Sequence, residues 1–138
     1  MYTVEHFAIA TKDVESLYNW YCNVLGFTVK RKIEKTPERS QPVYYLTSGK
    51  GAIVEIHQIM GKETKRRQAK ASNYEHRIEE VVKQGYSHIG LVVDNFAEAV
   101  SDLKAKGVPL YGVKRTGLGW KEGFIVDPDG NIVELMQH

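Results

Sequence analysis

The sequence predicts an α+β fold built from two βαβββ modules, and three observations support this prediction. A histidine followed much later by a glutamate occurs twice, as His6 with Glu55 and as His88 with Glu134, over nearly the same length of chain. The residues around each histidine alternate between apolar and polar, as in a strand that is buried on one face. A helix-like run and then a glycine follow each histidine at almost the same distance. Because repetition at a fixed spacing marks an internal duplication, we expect two related modules.

The first module reads as a strand, a helix and three further strands. Residues 2–10 have the alternation of a strand, and Asp13 or Thr11 can cap the helix that follows. Gly26 is expected to end that helix, since glycine readily adopts the left-handed conformation found there. Three strand-like runs come next, at residues 27–33, 43–47 and 52–58, with a glycine-rich hairpin-like turn at 48–51.

The second module repeats this order after a linker. Residues 60–85 are predicted to be that linker, with a short helix whose start is marked by the capping-box pattern of Ser72 and Glu75. No low-complexity segment or second core separates the halves, so we expect a single domain over residues 1–138, with modules at 1–59 and 86–138. The second module is predicted to contain a strand at 86–93, a helix at 96–106 and strands near 110–114, 122–126 and 132–136.

Composition favours a protein that handles small molecules. A chain of 138 residues can bury a sufficient core without disulfides, so a bound metal would be available for function. The net charge of +2 and the lack of a basic stripe argue against nucleic-acid binding, and no apolar run is long enough to span a membrane. Cys22 is the only cysteine, and the N-terminus lacks the apolar core of a signal peptide. We therefore expect a cytoplasmic protein whose partners are a small-molecule substrate and a second copy of itself.

The two His–Glu pairs are the candidate metal ligands. Side chains two apart in a strand share a face, so the apolar neighbours of each of the four residues lie on the opposite face. If the strands curve into an open sheet or half-barrel, all four polar groups can point into one concavity. Two imidazoles and two carboxylates suit a divalent ion such as nickel, cobalt, zinc, manganese or iron, with positions left for a substrate that has two adjacent oxygens. The proposed ligands are His6, Glu55, His88 and Glu134.

A purely structural role is the alternative to metal binding for these four residues. A single strand histidine is usually a packing or surface residue, and Glu55 or Glu134 could pair with a lysine or arginine instead. An unpaired buried carboxylate is costly, so some partner is required in either case. The occurrence of all four residues at repeated positions favours metal binding.

At these residues the sequence resembles the vicinal oxygen chelate superfamily. This superfamily includes glyoxalase I, methylmalonyl-CoA epimerase, fosfomycin resistance proteins, extradiol dioxygenases and metal-free bleomycin-binding proteins. The resemblance implies paired βαβββ modules that form a cupped mixed sheet around the metal, commonly in a homodimer. It extends over essentially the whole chain and is carried by the four proposed ligands and by the segments YCNVLGF at 21–27, SHI at 87–89 and DPDGNIVEL at 127–135.

Among these relatives, the His-Glu-His-Glu set resembles glyoxalase I most. The resemblance implies a lyase or isomerase similar to lactoylglutathione lyase, acting through a metal-bound enediolate, with Glu134 or Glu55 moving a proton between adjacent carbons. Glyoxalase I usually has an arginine after the first strand, where this chain has Ala10-Thr11, and an asparagine where it has Ile59. Both of those residues help to hold glutathione, so the resemblance does not extend to a classical glutathione substrate.

Two other functions are compatible with the same fold. The same cup in a metal-free protein would sequester a drug or metabolite, as bleomycin-binding proteins do. An acyl-CoA epimerase is a third possible function. The basic linker favours it, and the lack of a carboxylate at 43–46 disfavours it.

Two further residues are candidates for the substrate pocket. His57 shares a face with Glu55 and is expected near the mouth of the pocket. Trp120 is expected to line the pocket, although strand aromatics more often only pack.

Overall fold

The computed structural model describes residues 4–59 and 88–138, which belong to two compact units, Met1–Lys65 and Arg66–His138. The predicted linker helix, its capping-box pattern and the basic run of the linker lie outside the described residues. In the described residues of each unit, one helix and four strands occur in the order βαβββ. The predicted α+β fold of two related modules is therefore confirmed.

The first unit is a four-stranded mixed sheet covered by one helix. Its strand order is β1-β4-β3-β2, with β1 and β4 parallel and the other neighbours antiparallel. The strand predicted from residue 2 begins only at His6, where pairing with Ile53 begins. The elements are β1 (His6–Thr11), α1 (Val14–Leu25), β2 (Thr28–Ile33), β3 (Val43–Thr47) and β4 (Ile53–Gln58).

The second unit repeats this topology. Its strand order is β5-β8-β7-β6, again with one parallel pair, β5 with β8, at the edge of the sheet. The helix and strands lie within about two residues of their predicted bounds. They are β5 (His88–Val92), α2 (Phe96–Ala105), β6 (Tyr111–Arg115), β7 (Lys121–Val126) and β8 (Ile132–Gln137).

Both helices begin at a polar cap. Asp13, rather than Thr11, is the N-cap of α1, and its carboxylate accepts a hydrogen bond from the Ser16 backbone N–H. Asn95 does the same for α2, accepting from the N–H groups of Ala97 and Glu98. These bonds satisfy backbone donors that a helix start leaves unpaired. In the part of the chain that the structure describes, no helix is long and apolar enough to cross a membrane.

Each helix covers one face of its sheet. Tyr44 of β3 stacks on Tyr18 of α1, and Leu46 and Ile56 on the same face are fully buried. In the second unit a Cβ at Gly123 of β7 would meet the Phe96 side chain of α2. The opposite face of each sheet, turned away from its own helix, is called the open face below.

Candidate functional site

His6 and Glu55 form a close pair on the open face of the first unit. Ala8 of β1 lies beside Glu55 of β4, so His6, two residues earlier, shares that face. The His6 Nε2 atom is 3.3 Å from Glu55 Oε2. The Glu55 side chain is only 17% exposed, against 41% for His6, so the carboxylate lies deeper than the imidazole.

His88 and Glu134 repeat this arrangement in the second unit. Gly90 of β5 lies beside Glu134 of β8, and His88 Nε2 is 3.1 Å from Glu134 Oε2. The glutamate is again the deeper residue, with its side chain 13% exposed against 37% for the histidine. Each predicted His–Glu combination is thus a contact within its own unit, through the same pair of atoms.

The imidazole of His6 has a second carboxylate neighbour. Glu5 contacts the Nδ1 atom, while the Nε2 atom faces Glu55. A metal-ligating histidine usually donates its other ring N–H to a carboxylate or carbonyl, and Glu5 is placed to accept such a bond. Glu5 was not among the residues predicted from the sequence, although an acidic residue directly before a candidate ligand is a usable signal.

An aromatic ring lies beside each pair, on the next strand of the sheet. Tyr45 of β3 is the cross-strand neighbour of Glu55, and its ring meets the His6 ring edge-on. Burial raises the pKa of Tyr45, and the Glu55 carboxylate raises it further, whereas Arg31 lowers it. Phe124 of β7 is the corresponding neighbour of Glu134.

A second carboxylate shares the open face with Glu134. Glu122 lies two residues before Phe124 on β7, so both side chains leave the same face of the sheet. Its side chain is only 13% exposed, and its Oε1 atom is 3.1 Å from Lys114 Nζ. The alternation of side chains along this strand, from Glu122 to Phe124, could have identified Glu122 from the sequence. Glu122 is paired with a lysine, which is the alternative to metal binding that the sequence left open for Glu55 and Glu134.

The two predicted pocket residues lie on separate units. His57 is half-buried beside Ala10, and its Nδ1 is 2.7 Å from the carbonyl oxygen of Gln58. Since a carbonyl only accepts, Nδ1 donates this bond, and the lone pair of the neutral ring lies on Nε2. Trp120 comes just before β7 and packs on His138, with ring centroids 4.2 Å apart. Neither residue touches a His–Glu pair in the contacts described, and their roles stay predictions.

Residues 3–135 match the family model of the Glyoxalase/Bleomycin resistance protein/Dioxygenase superfamily. The chain belongs to this superfamily. Its repeated units and repeated His–Glu pairs are the features through which the sequence resembled these proteins.

Known proteins similar to this chain include enzymes, and a binding protein shares its fold. A probable lactoylglutathione lyase from Vibrio cholerae is 25% identical over an alignment that covers 96% of this chain and 88% of that protein. The trypanothione-dependent glyoxalase I of Leishmania major is 25% identical, with a TM-score of 0.67 over 99% of this chain and 87% of that one. An antibiotic-binding protein from a Streptomyces species shares the fold at 17% identity, with a TM-score of 0.69 over 99% and 96% of the two chains.

The donor atoms of each pair fit a divalent ion. Two neighbouring nitrogen or oxygen ligands at about 2.1 Å from a metal lie roughly 3.0 to 3.4 Å apart, for angles between square and tetrahedral. The separations of 3.3 and 3.1 Å in the two pairs fall in this range. The same separations also suit a direct hydrogen bond. Among the described residues, no group of three or more histidine, cysteine, aspartate or glutamate side chains has the arrangement of a metal site.

Proposed function

We propose that this protein is a divalent-metal-dependent lyase or isomerase of the glyoxalase I type, acting on a small substrate with two adjacent oxygens. The ligands would be His6, Glu55, His88 and Glu134, contributed by one chain or by two chains of a homodimer. The observation that carries the proposal is the repeated contact between a histidine Nε2 atom and a deeper glutamate carboxylate.

The ligand atoms and their surroundings support this proposal. Imidazole nitrogen and carboxylate oxygen suit nickel, cobalt, zinc, manganese or iron, and Glu5 is placed to orient His6. When bound, such an ion stabilises the negative charge that develops on the oxygens of the substrate. Glu134 or Glu55 would take a proton from one carbon and return it to the next, since each carboxylate is partly shielded from solvent and lies within contact distance of a histidine.

The first experiment is an elemental analysis of protein purified without a metal-affinity tag. We expect about one equivalent of a divalent transition metal per chain, and its loss in the His88→Ala variant. The exposed His138, which packs on Trp120 and belongs to neither pair, provides the matched control. Metal retained in His88→Ala, or lost equally in His138→Ala, would contradict the ligand assignment.

The reaction type is tested by proton exchange. With 2-oxoaldehyde adducts of different thiols as substrates, the proposal predicts incorporation of solvent deuterium at the carbon that receives the proton. Turnover without deuterium would argue for a shielded proton transfer, and would require a second test with substrate deuterated at the donor carbon. The absence of both metal and turnover after reconstitution would favour the metal-free binding protein.

The acyl-CoA epimerase remains a weaker alternative. Strand β3, where an additional acid was expected for that reaction, carries no carboxylate among its residues. The basic run that favoured an anionic carrier lies outside the described residues. The cytoplasmic setting and the homodimer are likewise proposals, and light scattering on the purified protein tests the second of them.

A further inference from the structure

His57 lies on the open face of the first unit, two residues after Glu55 on β4, so both side chains leave the sheet on the same side. Two residues of a strand span roughly 6.5 Å, which is a few bond lengths along β4 from Glu55. The neighbour of His57 on β1 is Ala10, whose side chain is a single methyl group. A molecule bound at the first His–Glu pair and extending along β4 would therefore reach the His57 ring.

The hydrogen bond of the His57 ring fixes which nitrogen carries the proton. Its Nδ1 atom donates to the carbonyl oxygen of Gln58, 2.7 Å away, so the lone pair of the neutral ring is on Nε2. The Nε2 atom points away from that carbonyl, because the two ring nitrogens lie on different sides of the ring. Among residues 4–59 and 88–138, no hydrogen bond to this Nε2 atom is present. The half-buried ring therefore offers an acceptor to a ligand that supplies a donor.

The second unit has an apolar residue at the same position. Met136 of β8 lies two residues after Glu134, and its neighbour on β5 is Val92, which is 62% exposed. The repeated topology thus forms with a thioether at this point as well as with an imidazole. Because the fold of the unit does not require a histidine there, the acceptor of His57 is available for contact with a ligand.

We propose that His57 is a specificity-determining residue, whose Nε2 atom accepts a hydrogen bond from a hydroxyl group of the substrate. The inference rests on the proposed function and narrows its substrate class. The molecule that has two adjacent chelating oxygens would also carry a hydroxyl a few bonds further on. An anionic group at that point would face the lone pair and would be disfavoured. In a 2-oxoaldehyde adduct this hydroxyl belongs to the thiol, since the oxygens of the oxoaldehyde are the chelating pair.

The test compares adducts of phenylglyoxal with 2-mercaptoethanol and with 1-propanethiol, which differ in a terminal hydroxyl against a methyl group. We expect kcat/KM to be higher for the hydroxyl adduct by roughly 5- to 10-fold. The difference should appear in KM and not in kcat, because a bond remote from the reacting carbons forms equally in the ground state and the transition state. The adduct of 2-methoxyethanethiol, whose ether oxygen cannot donate, should behave as the 1-propanethiol adduct does.

Two substitutions assign this preference to His57. His57→Met copies the second unit and removes the acceptor, so the kcat/KM values of the hydroxyl and methyl adducts should become equal. His57→Gln is the matched control and should keep the preference, since its amide oxygen can accept the same bond. Both variants should retain the metal content of the unsubstituted protein, because His57 is not one of the four proposed ligands.

The outcomes separate this inference from the proposed function. Equal kcat/KM values for the two adducts in the unsubstituted protein, or a preference that persists in His57→Met, would overturn the role of His57, while the turnover itself would support the proposed function. Loss of metal in His57→Met would assign His57 to the metal site or to the fold and would also overturn the inference. No turnover of any adduct would overturn the inference together with the proposed reaction.

Discussion

At the residue scale, adjacent tyrosines of β3 have opposite environments. Tyr44 is buried against α1, stacks on Tyr18 at 3.8 Å and donates a 2.8 Å hydrogen bond to Glu15. Tyr45 points to the open face, beside Glu55 and edge-on to the His6 ring. Strand alternation alone separates them, so Tyr44 packs against the helix and Tyr45 lies beside the candidate site.

The buried Tyr44 gives a pH-dependent prediction. Burial, and then the hydrogen bond to Glu15, raise its pKa above the ordinary value of 10. Because the folded pKa lies above the unfolded one, the resulting stability is fully present below pH 10 and is lost as the pH rises through the folded pKa. Tyr44→Phe should lower the unfolding free energy by about 1 kcal/mol at neutral pH. The variant should also lose less unfolding free energy between pH about 8 and about 11 than the unsubstituted protein does.

Urea unfolding of both proteins at the two pH values measures this difference. All other residues are the same in both proteins, so the comparison isolates Tyr44. An identical loss of stability in the variant would show that Tyr44 does not contribute to the alkaline dependence.

A second residue-scale prediction separates a ligand from an ion-paired carboxylate. Glu55→Ala should reduce bound metal, because it removes one of the four proposed ligands. Glu122→Ala is the matched control, since Glu122 is equally shielded on an open face but is paired with Lys114. Metal measured per chain should fall only in the first variant. Unchanged metal in Glu55→Ala would remove Glu55 from the ligand set.

At the element scale, the C-terminus of α1 depends on a backbone conformation that glycine adopts easily. Gly26 has a φ of 70°, and its N–H donates to the carbonyl oxygen of Cys22. This is the helix end predicted from the glycine in the sequence, and the structure confirms it. The left-handed conformation disfavours any residue with a Cβ, whatever space surrounds it.

Gly26→Ala should therefore lower the unfolding free energy by about 1 to 2 kcal/mol. A Cβ at Gly26 would meet nothing within 4 Å, so the cost is a backbone effect and not a clash. Gly117 also has open space for a Cβ but lacks a positive φ, and Gly117→Ala should be close to neutral. Urea unfolding compares the two variants, and equal effects would contradict the conformational explanation.

At the scale of the whole molecule, metal stoichiometry distinguishes one four-ligand site from two separate pairs. If both pairs hold the same ion, the protein binds about one metal per chain, and His6→Ala and His88→Ala each remove it. If each pair binds its own ion, the protein binds about two, and each variant loses half. Elemental analysis of the three proteins measures this directly. A retained half in either variant would contradict the proposed shared site.

The fold and the repeated pairs followed from patterns that are local or repeated in the chain. Alternating hydrophobicity located the strands, polar caps and Gly26 bounded α1, and the duplication singled out the histidines and glutamates. The same alternation assigned each pair to one face of a strand. These features were readable because they depend on neighbours close in sequence, or on the same sequence pattern occurring twice.

The tertiary structure decided which side chains surround each pair. Tyr45 lies beside Glu55, and Phe124 lies beside Glu134, through strand registers that no local pattern specifies. A shift by one residue would turn these rings to the opposite face, and registers also shift locally in both β2–β3 and β6–β7. The sequence by itself therefore determined the two modules and their candidate ligands. Only long-range strand pairing determined that Tyr45 stands beside Glu55 and Phe124 beside Glu134.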